Sequence, residues 1–257
     1  AEDNAPSAYD IGEIVVLTEP EPQVDEIRRL PTITTVMERS EFEHRSVTVP
    51  ELLSEAAGVE IRSYGGLGSF SAVSIRGSES DQVLVLLDGI PLNDAFGGAV
   101  DISTIPISNV ERIEIFRGAA PVKYPGAAVG GVINIVTCGA EKSKRAELSA
   151  AAGSFGAFNQ RLSLAAPRRR NFISFDFDRQ SADGDFDFLD DNGTPFNPAD
   201  DETVSRVNND FESDSLDLKL DFDIGENRSL VISERFFNKK QGVPGLGNFQ
   251  SQIARLD

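Results

Sequence analysis

The sequence predicts two architectures in tandem: a small α+β domain over residues 31–140, then over residues 141–257 antiparallel β-strands of the kind that build an outer-membrane barrel. Three observations carry that reading. Before residue 140, short β-branched runs and one capped helix are punctuated by glycine turns. Beyond it, apolar and polar residues alternate strictly: Leu216, Leu218, Leu220, Phe222 and Ile224 are interleaved with Asp217, Lys219, Asp221 and Asp223. Composition shifts at the same place. Of 17 Phe, four precede residue 140 and thirteen follow it, while residues 183–223 hold fourteen Asp+Glu against Arg206 and Lys219, a local balance of 2 − 14 = −12.

Composition also excludes several functions. With 24 Lys+Arg against 42 Asp+Glu the net charge is −18, the opposite of the basic footprint that nucleic acid requires, so no nucleic-acid partner is expected. The longest aliphatic run, Val83 to Leu87, is far short of the ~20 apolar residues of a membrane-spanning helix. A spanning β-strand needs only about 9–11 residues with every second one apolar, so a membrane barrel is not excluded. Cys138 is a lone cysteine and His44 a lone histidine, which rules out an intrachain disulfide and a thiolate cluster and leaves no His-based metal site or triad. No hydrolytic or redox constellation emerges, and the chain reads as a non-enzyme.

Residues 1–30 form a polar tail, broken by Glu19-Pro20-Glu21-Pro22. Within it lies one β-prone patch, Glu13, Ile14, Val15, Val16, Leu17 and Thr18. Such a patch either adds a strand to another protein's sheet or forms an edge of the chain's own, and residue chemistry favours neither. Residues 32–36 read as a strand, and 49–58 as a short helix with Pro50 in its first turn and Gly58 past its end. Strands at 59–61 and 72–77 flank a glycine-rich tip at 64–70, and 83–87 is an apolar strand ending in the turn signal Asp88-Gly89. Residues 102–106 and 108–112 suggest a capped short helix, with Glu111 three positions after Ser108. Two further strands follow at 113–118 and 131–137.

In the second part, 146–152, 158–166, 173–178 and 216–224 alternate with period two, and 229–238 is ambiguous because Glu234 interrupts its apolar register. Tight turns at 166–171 and 225–227 alternate with a long connection at 183–213, the pattern of short and long loops at opposite ends of an outer-membrane barrel. A soluble β-sandwich would show the same strand periodicity.

Four segments make the pattern specific: Ser74-Ile75-Arg76-Gly77; residues 83–93, ending Asp88-Gly89-Ile90-Pro91-Leu92-Asn93; residues 110–118, ending Phe116-Arg117-Gly118; and residues 130–137. In this order and spacing, from about residue 11 to residue 257, the chain resembles a TonB-dependent outer-membrane transporter. The resemblance implies a plug domain followed by the first five to six strands of a barrel that has about 22 strands when whole. It implies that residues 13–18 are a TonB box, exposed to the periplasm and pairing by strand addition with a TonB-type energy-coupling protein. Arg76 and Arg117 match plug arginines that pair with acidic residues of the inner barrel wall, expected on later strands. The tips correspond to loops facing substrate, giving Leu67, Ser69, Phe70, Asn93, Asp94 and Phe96 as candidate binding residues. Asp183, Asp185, Asp187, Asp190 and Asp191 fall in the first long external loop, where cobalamin transporters of this family bind calcium; their spacing is not that of an EF-hand. No other cofactor is implied.

Five strands cannot close around a plug, so the barrel is expected to be incomplete, its remaining strands coming from the same protein or a second chain. The expected function is active import of a scarce nutrient, a siderophore or cobalamin-like metal chelate, across the outer membrane, with lipid around the wall. A glycan importer of the same family, or a plug-like module that binds a ligand or protein without transport, is the alternative.

Overall fold

The computed structural model describes residues 24, 27, 33–93, 98–118, 124, 129–137, 144–168, 171–194, 196–225 and 228–244. Its first part is built on strands β1 (Ile33–Glu38), β2 (Val59–Ser63), β3 (Ser71–Ile75), β4 (Val83–Leu87), β5 (Ile90–Pro91), β6 (Val110–Arg117) and β7 (Gly131–Thr137), with a short helix, α1 (Val49–Ser54). Five of these strands make a mixed sheet in the order β1-β6-β7-β4-β5, in which only β4 and β7 run parallel. The β2–β3 hairpin stands apart as a second, two-stranded sheet.

Continuous apolar runs make the central strands buried on both faces. On one face Val83, Val85, Ile113, Ile115, Ile133 and Ile135 meet Leu52 and Leu53 of α1 and Val73 and Ile75 of β3. On the other, Leu86, Phe116 and Val132 meet Ile27 and Tyr124. Helix α1 starts where a capping box forms: Glu51 N–H donates to Thr48 Oγ1 at 3.4 Å, and Thr48 N–H donates to Glu51 Oε2 at 2.8 Å. It ends at Ser54, earlier than the sequence pattern implies, and Gly58 turns the chain into β2 at φ +74°. Residues 108–112 are not a helix. Two 3-10 turns (Ile102–Thr104 and Ile107–Asn109) lead into β6, because β-branched Val110 already pairs with Thr137 and the ladder outcompetes the apparent Ser108–Glu111 cap.

The second part is an antiparallel meander, β8 (Arg145–Ala152), β9 (Phe158–Arg168), β10 (Asn171–Ala182), β13 (Phe211–Gly225) and β14 (Arg228–Gln241), in that spatial order. The long connection between β10 and β13 carries a small hairpin of its own, β11 (Asp187–Asp190) with β12 (Glu202–Ser205), which the sequence pattern does not announce. Strand β14 runs unbroken through Glu234.

This sheet is inside out relative to a soluble protein. Along β10, Ser174, Asp176 and Asp178 are 2%, 1% and 3% exposed, whereas the intervening Ile173 is 46% exposed. In β13 the buried residues are Ser213, Ser215, Asp217 and Asp221, with Phe211 at the strand's start, while Leu148 of β8 and Phe236 of β14 are 81% and 60% exposed. A β-sandwich buries the apolar face of each strand; here the polar face lies against the first domain and the apolar face points outward. Only a lipid-facing wall satisfies that polarity, which resolves the ambiguity between sandwich and barrel.

Candidate functional site

Residues 64–70 close on themselves. Tyr64 N–H donates to the Phe70 carbonyl at 3.1 Å, Ser69 Oγ donates to the Gly66 carbonyl at 2.7 Å, and the Tyr64 and Phe70 rings lie 5.8 Å apart. Tyr64, Leu67 and Phe70 present apolar surface, exposed by 73%, 39% and 40%, whereas Ser69 is buried and its hydroxyl is used within the turn. The underside of the tip rests on the wall: at Gly68, φ is +72° and a Cβ would stand 1.9 Å from Cε2 of Phe211. Below the tip lies a cavity of about 190 Å³ between the two parts, lined by hydroxyl, amide and carboxylate groups including Ser63, Ser103, Asp178, Gln180, Ser213 and Ser215.

Asn93 is placed differently from a ligand-facing residue. Its Oδ1 accepts from Val85 N–H at 2.9 Å and its Nδ2 donates to the Val83 and Gly98 carbonyls at 3.0 and 3.3 Å, so it stitches the chain after β5 to β4. Asp94 and Phe96 lie outside the described residues, as do Glu13, Ile14, Val15, Val16, Leu17 and Thr18.

Arg76 and Arg117 come together beside Gly58, where a Cβ would be 3.7 Å from Arg76 Cγ and 3.8 Å from Arg117 Nε. Arg117 is 8% exposed and donates to Thr35 Oγ1 at 2.7 Å, but its Nε and Nη2 have no acceptor among the described residues. Burial, and then the neighbouring Arg76 charge, lower its pKa from the ordinary arginine value. Among the described residues neither arginine meets a wall carboxylate.

Other residues join domain to wall, and the sequence reading missed them. Arg39 at the end of β1 donates to the Ser108 and Val110 carbonyls at 3.0 and 2.8 Å and reaches Glu147 of β8 at 3.0 Å. Glu111 lies 3.7 Å from Arg145 of β8, which also bonds Asp176 of β10 at 2.9 Å. Asp88 meets Lys219 of β13 at 3.5 Å, and Asp101 meets Lys239 of β14 at 3.6 Å. One signal was available: Lys219 is a cation on the polar face of a ribbon otherwise acidic at Asp217, Asp221 and Asp223. Arg39 offers none, since nothing local distinguishes it from a surface arginine. Buried pairs of this sort fix geometry more than they stabilise, because desolvation offsets much of the attraction.

The aspartates proposed for calcium do not converge. Asp190 Oδ1 accepts from Asn192 N–H and Asp191 Oδ1 from Gly193 N–H, each at 3.0 Å, and Asp187 is bonded by Ser205. Among the described residues no three acidic, histidine or cysteine groups gather as a metal site, so Asp183, Asp185, Asp187, Asp190 and Asp191 do not fit the ion as placed.

A folded domain joined by charged contacts to the polar face of a wall whose outer face is apolar defines a class of architecture: a plug set against the inside of a membrane β-wall. Comparison with known proteins narrows it. Residues 26–132 match the TonB-dependent receptor plug domain. The chain is 42% identical over 132 residues to the vitamin B12 transporter BtuB of Vibrio cholerae serotype O1, covering 51% of this chain and 21% of that protein. It is 37% identical over 122 residues to BtuB of Vibrio vulnificus, covering 47% and 20%. The unliganded ferric citrate transporter FecA shares the fold over 87% of this chain and 33% of its own, with TM-score 0.65 and 19% identity. Residues 26–132 are therefore similar to the plug domain of TonB-dependent receptors, and the plug with the wall strands that follow has the fold of FecA. The chain spans about a fifth of the length of its vitamin B12 transporter relatives.

Proposed function

We propose that this polypeptide is the gated entry of an importer that takes a metal chelate, foremost a cobalamin-type corrinoid, across the outer membrane at the expense of work done by a TonB-type coupling protein. The observation that carries the reading is the plug held to the wall by Arg39, Glu111, Asp88 and Asp101, polar contacts that separate without exposing an apolar core. Identity to vitamin B12 transporters across the plug supports the corrinoid over other chelates. Further wall strands, in the same protein or in a second chain, complete the barrel and supply carboxylates to the unsatisfied nitrogens of Arg117. Cargo settles on the apolar tip formed by Leu67 and Phe70, and Phe96 is a further apolar candidate for it. Residues 13–18 then pair with the coupling protein by strand addition.

The test is uptake in cells producing the receptor. Val16→Pro removes an amide donor from the pairing strand, so it abolishes import of cyanocobalamin while leaving surface binding intact. Import at the normal rate in that variant would sink the coupling role of residues 13–18. Surface binding of a ferric siderophore, with none of cyanocobalamin, would move the cargo to the other chelate class.

A further inference from the structure

The lipid-facing surface of the wall is a set of rows, because cross-strand partners share a face. One row reads Leu148, Leu162, Phe177, Leu216, Phe236, and the next Ala146, Leu164, Phe175, Leu218, Glu234. Below it come Ala166, Ile173, Leu220 and Ile232, then Phe222 with Leu230. Above the apolar rows lies a polar one, where Arg179 stands opposite Asp214 and Asp214 opposite Asn238. Glu234 thus interrupts an otherwise apolar band, and it is exposed. At a rise of about 3.4 Å per residue it sits roughly 13 Å along the strand from Asn238 and about 20 Å from the Arg228 end. Both exceed the reach of a glutamate side chain, so the carboxylate does not snorkel to either surface of the membrane.

A carboxylate held at that depth against hydrocarbon is costly, and such groups are found paired. On its own sheet Glu234 stands opposite Leu218, flanked on β14 by Ile232 and Phe236, and none of these carries charge. The other side of β14 is a free edge among the described residues. We infer that the strand adding to this edge presents a Lys or Arg outward, directly or diagonally opposite Glu234, forming an ion pair on the lipid-facing surface that fixes the register of the next strand. A one-residue slip there would turn the cation inward and leave two unpaired charges, so the pair acts as a register device where apolar residues alone would tolerate sliding. The inference rests on the reading that further strands complete the barrel.

The test compares Glu234→Leu, Glu234→Gln and Glu234→Lys in the complete receptor in outer-membrane vesicles, following the temperature at which the compact, heat-modifiable form is lost on a gel. With a paired cation, Glu234→Leu lowers that temperature by several degrees, Glu234→Gln by less and Glu234→Lys by most. In the Glu234→Lys background, replacing one Lys or Arg of the adjoining strand by Glu restores it. If Glu234 faces lipid alone, removing its charge leaves the temperature unchanged or raises it. Either result for Glu234→Leu, or failure of every charge swap to restore the Lys variant, overturns the pairing while leaving the barrel intact. Absence of any heat-modifiable form in the unaltered receptor would overturn the barrel reading and the pairing together.

Discussion

Gly68 shows how a single backbone position ties tip to wall. Its left-handed conformation suits glycine, and any side chain would run into the Phe211 ring, which is itself 5% exposed and cannot swing free. Gly68→Ala is expected to destabilise the plug–wall contact by ~1–3 kcal/mol through overpacking and strain, read as a lower unfolding temperature and earlier proteolysis at residues 64–70. Phe70 calls for the opposite outcome. It is 40% exposed and its ring is tilted against that of Tyr64, so it contributes little to the core and Phe70→Ala should weaken cargo binding by ~1–3 kcal/mol with the melting temperature nearly unchanged. A lowered melting temperature with unaltered affinity would make the ring a packing residue. Glu55 illustrates an electrostatic case: its hydrogen bonds from Arg45 hold its pKa below the ordinary glutamate value of 4.5. The contribution of that contact is present above the ordinary glutamate range and is lost as pH falls through the lowered value. A carboxyl titration by NMR should show a midpoint below 4.5 that returns toward it in Arg45→Ala.

At the scale of elements, the Asp88-Gly89 turn was legible and its second role was not. Both residues have positive φ, 49° and 79°, and Leu87 pairs with Ile90 across them, the two-residue hairpin that an Asp-Gly sequence predicts. The carboxylate also accepts from Thr137 N–H at 2.7 Å and from Thr137 Oγ1 at 2.5 Å, and it faces Lys219. These partners are 49 and 131 positions away, where no local pattern reaches. Asp88→Ala should cost about 1–3 kcal/mol, since it orphans Thr137 and strains the turn, while Asp88→Asn, which tolerates the left-handed conformation, should cost less. Denaturant midpoints of the two variants check that order. The same distinction governs the rest. Strands β4 and β7 and the wall ribbons follow from apolar runs and period-two alternation, which are properties of neighbours. The Ser108–Glu111 pattern misled because a nearby capping signal competes with a ladder formed 27 positions on, between Val110 and Thr137. Likewise Asn93 offered the polar chemistry of a binding residue, and only tertiary structure reveals its amide spent on the backbone of β4.

For the whole molecule, the five wall strands leave β8 and β14 with one unpaired edge each among the described residues. Unpaired backbone groups are not tolerated in hydrocarbon. Residues 1–257 expressed alone are therefore expected to give no heat-modifiable, protease-resistant particle, and supplying the missing strands, in cis or from a second chain, should restore it. A stable membrane-inserted species of this polypeptide by itself would refute that.

The two sheets also differ in contact order, and this sets their timing. In the wall each strand pairs with the one before it in sequence, interrupted only by the β11–β12 excursion, so closure proceeds through short loops. The plug sheet instead joins Ile33 to Arg117 and Val83 to Gly131, long loops whose entropy must be lost before any pairing is gained. Hairpins of the wall are thus kinetically ready while the plug is still searching, and their polar inner faces bond only among themselves, as Arg145 does with Asp176 and Arg161 with Asp178, until it arrives. Assembly is then expected to be a race between zippering and docking, and anything that slows the zippering of the wall gives the plug time to dock.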